Sequence, residues 1–436
     1  MDASIFDRFC LTLAASLPLS TIAQTSSGQH SPALVEARPI SAGMSSERLA
    51  RIDALCQKAV TDGDIPGVVA LVARRGKIVY YNAFGSADNA TGRKLQRDDI
   101  FRIASQSKAI TATAVMMLWE EGRFRLDDPI SMYLSEFKQP QLLKNFDAAQ
   151  TNYTTEPAKS EITIRQLLDH TSGLGYGEID GDGRFRQIYR QAGIIDAFTT
   201  EPVNLAENEK KLAHLTLHHN PGEKFTYSEG LDVLGYLIEV LSCIPFDQFL
   251  RQRLFEPLGM NDTWFYLPQQ SASRLVAVQT RKDGKWVRQP STFYDPDYPT
   301  KGAKKFFSGG AGLSSTAKDY ATFLQMYLNG GELNGKRILS RTTVETILAN
   351  QTGELMAGKT GESYYGLAFG VLTEAGAAKG GKGTAGTFQW GGYFNTQYFA
   401  DPREKIIGIL FKQTTGPTTD KTGELFKQLV FQAVDD

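Results

Sequence analysis

The sequence is poor in the residues that mark several classes of protein. Its 436 residues include three cysteines and five histidines, and the formal net charge at pH 7 is −1. A small disulfide-stabilised scaffold needs a higher density of cysteine. A surface for nucleic acid or anionic lipid needs an excess of positive charge, and no basic stretch with interleaved aromatic residues supplies it. The composition therefore argues against nucleic acid as a partner.

Long hydrophobic runs are also missing beyond the N-terminal residues. An apolar run at residues 9–19 is too short to span a bilayer as a helix. It ends in small residues up to Ala23 that suit signal-peptidase cleavage, although Asp2 and Asp7 outweigh Arg8 in front of it. We therefore expect export to the periplasm or outside the cell, with no stable membrane insertion after signal removal. The predicted divisions are a signal peptide over 1–23, a flexible leader over 24–44 and a single domain over 45–436.

The three cysteines leave their redox state open. Cys10 would be removed with the signal peptide, whereas Cys56 and Cys243 lie in stretches with a helical pattern. A buried free thiol is the commoner state for such residues. A disulfide between these two remains open on the sequence alone.

The N-terminal part of the predicted domain combines a helix with strands. Residues 49, 52, 56 and 60 are apolar at helical spacing, and Ser45 or Ser46 is a natural N-cap. Two apolar segments follow, at 68–73 and 78–81, and the turn between them contains glycine. This pattern predicts a β-hairpin.

Helical patterns dominate the middle of the chain, and strands return near its end. Strand-like segments lie at 365–371, 386–400 and 405–412, and an amphipathic helix closes the chain with Leu425, Phe426, Leu429, Val430 and Ala433. We predict an α+β fold whose antiparallel sheet is built from both chain ends, with the terminal helices on one face. A mainly helical insertion would meet this sheet at a cleft. The two predicted parts are 45–100 with 300–436, and 101–299.

Ser-x-x-Lys, a pattern that fixes only two positions, occurs three times, beginning at Ser105, Ser135 and Ser315. Pro140 ends the run after Ser135, so no buried helix can grow from it. The helix predicted after Ser315 has a single apolar stripe, and Lys318 lies off that stripe. We interpret the second and third pairs as structural.

The first pair has a different setting. No charged residue occurs from Ala109 through Trp119, so the helix should be buried on every side. Ser105 would lie at its N-terminus, where backbone N–H groups and the helix dipole favour a developing oxyanion. Lys108 follows one turn later on the same face, and loss of solvation favours its neutral amine, which can act as a base. A serine cap followed by a lysine that reaches solvent fits these residues equally well.

Five segments in a fixed order resemble the serine β-lactamase and penicillin-binding protein superfamily, and its class C branch in particular. Residues 101–108 resemble the first motif of that superfamily. The other segments are 167–174, 221–228, 255–260 and 309–313. The resemblance extends from about Ile65 to Phe411, nearly the whole predicted mature chain. The resemblance implies a β-lactamase-like fold and makes Ser105 the nucleophile.

The resemblance carries further roles onto single residues. Tyr227 matches the tyrosine that relays protons between nucleophile, lysine and leaving group. The alternative is a tyrosine of the core without chemistry. The N–H groups of Ser105 and Tyr393 would form the oxyanion hole. Neither a metal nor a cofactor is implied.

Two positions depart from the β-lactamase pattern. Glu229 replaces an asparagine that helps to hold the acylamino group of a β-lactam, and a carboxylate cannot donate that hydrogen bond at neutral pH. Trp390-Gly391-Gly392 replaces Lys-Thr-Gly, so the cation that meets an anionic substrate is missing. The two glycines let a substrate carbonyl approach the strand edge closely. Trp-Gly-Gly and the segment 230–235 that follows Glu229 resemble the family VIII carboxylesterases. Glu229, Trp390, Gly391 and Gly392 are the predicted substrate site.

We therefore expect a serine hydrolase that cleaves carboxylic esters through an acyl-enzyme on Ser105. The substrate, a small ester or amide, would be mostly neutral, because Trp390, Phe388 and Tyr393 offer aromatic surface. The alternatives are a class C-like β-lactamase, a D-Ala-D-Ala carboxypeptidase, and a related amidase or acyltransferase. A receptor that binds acyl ligands without catalysis is the alternative outside enzymes. The oligomeric state is open.

Competing chemistry has little support in the sequence. No Gly-x-Ser-x-Gly elbow is present, so an α/β-hydrolase triad has no starting point. His214, His218 and His219 have the spacing of one helix face, but no cysteine or carboxylate completes a metal site with them.

Overall fold

The computed structural model describes residues 31–149, 152–356, 361–416 and 420–436. The predicted signal peptide lies outside these residues, so the secreted or periplasmic location stays a prediction. Within them the helices are α1 (Ser46–Thr61), α2 (Ser107–Glu120), α3 (Ile164–Leu168), α4 (Gly183–Ala192), α5 (Leu205–Leu212), α6 (Gly230–Ser242), α7 (Phe246–Leu250), α8 (Glu256–Leu258), α9 (Tyr298–Lys301), α10 (Ala317–Leu328), α11 (Arg341–Leu348), α12 (Glu374–Ala377) and α13 (Thr422–Gln432). Short 3-10 segments lie at Pro39–Ala42, Ala104–Gln106, Ile130–Met132, Ser135–Phe137 and Gln269–Arg274, and a π-helical turn at Arg251–Phe255.

The strands are short outside one central sheet. They are β1 (Val35–Glu36), β2 (Gly67–Arg74), β3 (Lys77–Asp88), β4 (Arg93–Lys94), β5 (Phe101–Arg102), β6 (Gln141–Asp147), β7 (Asn152–Pro157), β8 (Thr216–Leu217), β9 (Gln279–Lys282), β10 (Lys285–Arg288), β11 (Ser314–Ser315), β12 (Glu332–Leu333), β13 (Lys336–Arg337), β14 (Ser363–Tyr365), β15 (Gly370–Leu372), β16 (Phe388–Gly392), β17 (Thr396–Asp401), β18 (Ile406–Phe411) and β19 (Thr414–Thr415).

Both ends of the chain build the central sheet. Its order in the described residues is β1-β3-β2-β18-β17-β16-β15-β14, and β4 adds to β3. Among the described strands of this central sheet, β1 alone pairs parallel, with β3. In the middle, β2 from the N-terminal part pairs antiparallel with β18 from the C-terminal part, and Leu71 lies opposite Ile409. The predicted sheet from both chain ends is confirmed.

The turns of this sheet follow local sequence in one place and depart from the prediction in two. Arg75 and Gly76 both have positive φ, 54° and 76°, which matches the twist of a two-residue hairpin between β2 and β3. The predicted single strand at 365–371 is wrong. It breaks into β14 and β15 because Ala368 turns the chain with φ 67°. The predicted strand at 386–400 likewise divides at a turn after Gly392.

The sheet has an apolar core on each face. On one face α1 and α13 pack against the strands, and Ile52, Ala70 and Phe426 belong to this layer. On the other face a larger core joins Leu71 and Ile409 to α2 and α6. Alternate residues of β2 therefore enter different cores, as the period of a strand requires. The α+β fold, with the terminal helices on one face, is confirmed.

The expectation of a flexible leader before residue 45 needs correction. The predicted flexible leader is ordered in its described part, because Val35–Glu36 pairs with β3 and Met44 is fully buried. The fold therefore begins before residue 45.

Cys56 is a buried free thiol, as expected. Cys243 is disulfide-bonded, so the expectation of a free thiol is wrong there.

Among the described residues, no single helix is both long enough and apolar enough to cross a membrane. The segments Gly230–Ser242 and Phe246–Leu258 reach that length only as a pair, with a bend of 81° between them. Leu231, Leu234 and Ile238 of the first segment are buried in the larger core.

The pairing of the two chain ends generates a prediction on stability. Ile409 is fully buried opposite Leu71, so Ile409→Ala should lower the free energy of unfolding by about 2–5 kcal/mol, measured by urea denaturation. Ile40→Ala is the matched control. The side chain of Ile40 is 71% exposed, and its truncation should change stability by less than about 0.5 kcal/mol. Equal losses in the two variants would contradict the described core.

Candidate active site

Ser105 lies in a short 3-10 segment, Ala104–Gln106, that leads directly into α2. From residue 101 to residue 118 it is the one partly exposed residue, and all the others are buried. Ala104 in front of it has φ 45°, a left-handed conformation that is unfavourable for alanine and clusters at functional sites. The backbone therefore presents one hydroxyl from an otherwise buried segment.

Helix α2 is buried as the sequence predicted. Every residue from Ser107 to Leu118 is enclosed, including Thr111 and Thr113, whose hydroxyls bond to backbone oxygens. The Thr111 hydroxyl donates to the carbonyl of Gly309 at 2.7 Å. The helix thereby fixes the loop that carries the last of the five sequence segments.

Lys108 points toward Ser105 and is fully buried. Its Nζ lies 3.3 Å from Ser105 Oγ, 2.7 Å from the hydroxyl of Tyr176 and 2.8 Å from the carbonyl oxygen of Gly310. The alternative of a lysine that reaches solvent is therefore wrong. The amine that the sequence placed one helical turn from the serine is within contact distance of it.

Tyr176 is the residue of this site that the sequence analysis missed. Burial, followed by the neighbouring Tyr227 and Asp232, raises the pKa of its phenol well above the ordinary value, so the hydroxyl stays protonated. Its ring stacks on Tyr227 with centroids 5.6 Å apart. The only sequence signal was its place two residues beyond the segment 167–174.

Tyr227 lies on the other side of the same amine. Lys108 Nζ is 4.6 Å from the centre of its ring, within the range of a cation–π contact. The indole N–H of Trp390 donates to the Tyr227 hydroxyl at 3.3 Å. The structure thus brings together the predicted serine, lysine, tyrosine and tryptophan.

His170 holds the segment that carries Tyr227. Its Nδ1 accepts the backbone N–H of Ser228 at 3.2 Å, and its ring lies 4.5 Å from that of Tyr227. Burial and the charge of Lys108 lower the pKa of the imidazole well below its ordinary value. The neutral ring therefore acts as a fixed support.

The glycines at 309 and 310 are needed for close approach. A Cβ on Gly309 would lie 2.3 Å from the carbonyl oxygen of Leu231, and one on Gly310 would lie 2.4 Å from Oδ2 of Asp232. Asp232 accepts hydrogen bonds from this loop while burial raises the pKa of its carboxyl. The loop is thereby held where the Gly310 carbonyl meets Lys108.

Strand β16 runs beside the serine. A Cβ on Gly392 would lie 2.4 Å from the carbonyl oxygen of Ile103, so only glycine permits this approach. The amides of Ser105 and Tyr393 donate no hydrogen bond to any other described residue. Two N–H groups near the hydroxyl are thus available to an incoming oxygen.

The aromatic surface beside the strand differs from the one predicted. Trp390 is partly exposed and Tyr393 is 44% exposed, but Phe388 is fully buried, so its predicted contact with substrate is wrong. The ring of Tyr393 instead lies next to the rings of Phe198 and Tyr294, with centre-to-centre distances of 6.2 and 5.3 Å.

Glu229 lies beneath the site rather than on its surface. Its side chain is 1% exposed, which argues against the predicted direct contact with substrate. Burial, then the nearby Asp196, Glu209 and Asp232, raise the pKa of its carboxyl well above the ordinary value. This shift favours the neutral acid, which can donate a hydrogen bond, over the carboxylate that the sequence analysis assumed. The described residues contain no group of three or more His, Cys, Asp or Glu side chains that could hold a metal ion.

The two other Ser-x-x-Lys pairs are structural, as predicted. Ser135 is exposed and begins a 3-10 turn that ends at Phe137. Ser315 bonds to the hydroxyl of Thr263 at 2.8 Å, while Lys318 is exposed on the outer side of α10.

Known proteins are similar to this chain in sequence and in fold. The family model described as Beta-lactamase matches residues 52–430. Protein Rv1367c of Mycobacterium tuberculosis is 35% identical over 79% of this chain and 85% of its own length, and Esterase EstB of Burkholderia gladioli is 32% identical over 85% and 93%. The solved structure of EstCE1, a hydrolase with promiscuous acyltransferase activity, superposes with a TM-score of 0.75 at 27% identity and covers 89% of this chain and 98% of its own.

The buried carboxyl of Glu229 generates a prediction on pH. The folded state holds a proton that the unfolded chain releases above its ordinary pKa, so stability should fall as pH rises from about 4.5. Glu229→Gln replaces this carboxyl with an amide, which does not titrate in this pH range. We expect its free energy of unfolding to decline less between pH 5 and 8 than that of the wild type, by at most about 1.4 kcal/mol per pH unit.

The matched control is Glu201→Gln, because Glu201 is exposed. Urea denaturation at several pH values should give Glu201→Gln the slope of the wild type. Parallel curves for the wild type and Glu229→Gln would contradict a neutral Glu229.

Proposed function

Because the chain belongs to the beta-lactamase family and is a serine hydrolase, we propose that it cleaves carboxylic esters through an acyl-enzyme on Ser105. Lys108 and Tyr227 exchange the protons of the reaction. The observation that carries this proposal is the contact of Lys108 Nζ with Ser105 Oγ at 3.3 Å in a fully buried setting.

The contacts of Lys108 suit a base. A neutral amine has two N–H donors and one lone pair. The hydroxyl of Tyr176 and the carbonyl of Gly310 are the two nearest acceptors, so they take the two donors. The lone pair is then left for the proton of Ser105, whose oxygen attacks the ester carbon.

Tyr227 is suited to pass the proton onward. It lies against Lys108, and the indole N–H of Trp390 points at its oxygen, where negative charge develops when the proton leaves. The phenol delivers the proton to the departing alcohol. Water then attacks the acyl-enzyme by the reverse sequence of proton transfers.

The amides of Ser105 and Tyr393 are the proposed oxyanion hole. Neither is occupied by another described residue, and Gly392 brings the strand against the backbone just before Ser105. Donors fixed in advance stabilise the tetrahedral anion without reorganisation. Gly391 and Gly392 would let the substrate carbonyl reach this position.

The proposed substrate is neutral around the ester. Trp390 stands where β-lactam-degrading relatives are expected to hold a cation, and Tyr393 adjoins the rings of Phe198 and Tyr294. Such a surface favours apolar or aromatic groups over a carboxylate. EstB and EstCE1 support the ester as substrate, and EstCE1 also keeps acyl transfer to another alcohol open as a side reaction.

The first prediction from this mechanism concerns the nucleophile and the ranking of substrates. Ser105→Ala should lower kcat/KM for p-nitrophenyl butyrate by at least about 10³-fold, because the acyl-enzyme cannot form. The wild type should cleave the ester with higher kcat/KM than nitrocefin. Both rates are followed by absorbance.

Ser135→Ala is the control, since it removes an exposed serine of the same pattern and should leave the rate unchanged. A higher kcat/KM for nitrocefin than for the ester would favour the β-lactamase alternative. An unreactive wild type that still binds the ester would favour a receptor.

The second prediction concerns Tyr176 as a positioning residue. Tyr176→Phe removes one acceptor from Lys108 and should lower kcat by about 10²-fold with little change in KM. Tyr327→Phe, which removes a buried hydroxyl bonded to Thr113, should change neither quantity. An unchanged kcat in Tyr176→Phe would exclude Tyr176 from the mechanism.

A further inference from the structure

A polar cavity lies apart from the candidate active site, since Ser105, Lys108 and Tyr227 are not among the residues that line it. Its volume is about 360 Å³, and it is bounded by the 3-10 segment Gln269–Arg274, by β10 and by the loop up to Thr300. Arg102, three residues before Ser105, lines it together with Arg93 and Arg288. No step of the proposed reaction uses this cavity.

Arg102 is buried without an ion pair. Its side chain is 2% exposed, and no carboxylate among the described residues lies within salt-bridge distance of it. Its Nε donates to the carbonyl of Pro296 and its Nη1 to the carbonyl of Val276 and, at 3.4 Å, to the amide oxygen of Gln413. Nη2 has no acceptor among the described residues. Pro296 and Val276 both line the cavity, so the guanidinium lies at its wall.

The other charged groups of the cavity are already paired. Arg93 binds Asp99 at 2.8 Å. Arg288 forms an ion pair with Asp88. Asp297, which also lines the cavity, forms an ion pair with Lys301 at 2.7 Å. One positive charge, that of Arg102, is therefore left without a direct counter-ion.

We propose that this cavity is a binding site for a small oxyanion, a carboxylate or a phosphate group, that pairs with Nη2 of Arg102. A guanidinium offers a planar set of N–H donors that fits such groups better than any other side chain. Arg288, whose side chain is 60% exposed, is already neutralised by Asp88, so the positive charge available to an anion is that of Arg102. The site is separate from the serine centre and does not depend on the proposed ester hydrolysis.

The electrostatic setting favours an anion. Burial lowers the pKa of Arg102 to about 10, while Tyr298, Asp297 and Asp295 act in the opposite direction. The group remains charged at neutral pH, in a position that water reaches poorly. A buried charge of this kind is stabilised by a bound counter-ion. The competing interpretation is an arginine that only ties loops together through their carbonyls.

The test is thermal unfolding of the full-length protein at pH 7 during titration with sodium phosphate or sodium acetate. Sodium chloride at matched ionic strength is the reference. We expect a saturable rise in Tm of a few degrees with at least one oxyanion and none with chloride. A response to phosphate alone identifies a phosphate site, and a response to acetate identifies a carboxylate site.

Three variants assign the response to this cavity. Gln289→Glu adds a negative charge to the lining with little change of shape and should weaken the oxyanion response at least tenfold in apparent Kd. Gln57→Glu makes the same change on the exposed side of α1 and should respond as the wild type. Arg102→Lys keeps the positive charge but loses the planar set of guanidinium N–H donors, so it should also weaken binding. Gln289→Glu decides the matter if Arg102→Lys does not fold.

Two results would overturn the proposal. One is the absence of a saturable response beyond that of chloride. The other is an equal response of Gln289→Glu and Gln57→Glu, which would assign the anion to a different place on the protein.

Discussion

The buried amine of Lys108 is the group on which the rest of the site depends. An ammonium or amine without solvent must be surrounded by acceptors, and here two are supplied from distant segments, the hydroxyl of Tyr176 and the carbonyl of Gly310. These contacts fix the direction of Nζ toward Ser105. The left-handed Ala104, the glycines at 309 and 310 and the support of Tyr227 by His170 all serve the same geometry.

A second constraint is the group of acids beneath this amine. Asp196, Glu209, Glu229 and Asp232 are all buried, and burial raises the pKa of each. If all were ionised, the repulsion in a setting of low dielectric would oppose folding. The upward pKa shifts reduce that repulsion, because a protonated carboxyl carries no charge.

The local patterns predicted many elements correctly. The spacing of apolar residues gave α1, α2 and α13, and the glycine turn gave the hairpin of β2 and β3. The prediction failed where one residue reverses the chain, as at Ala368, because an alanine carries no sign of its left-handed conformation. The prediction that Phe388 contacts the substrate failed for another reason, because the face of a strand that meets the core depends on its neighbours in the sheet.

The sequence by itself determined the serine and lysine on one face of a helix without charges, because spacing within one helix fixes which side chains meet. It also determined that Trp390 stands where the lysine of Lys-Thr-Gly is expected, since that change is a matter of residue type. Only the tertiary structure decided which groups surround the amine, because Tyr176 and Gly310 are 68 and 202 residues away from Lys108 in the chain. It also decided the upward shift in the pKa of Glu229, since burial and neighbouring acids, rather than the residue type, cause that shift.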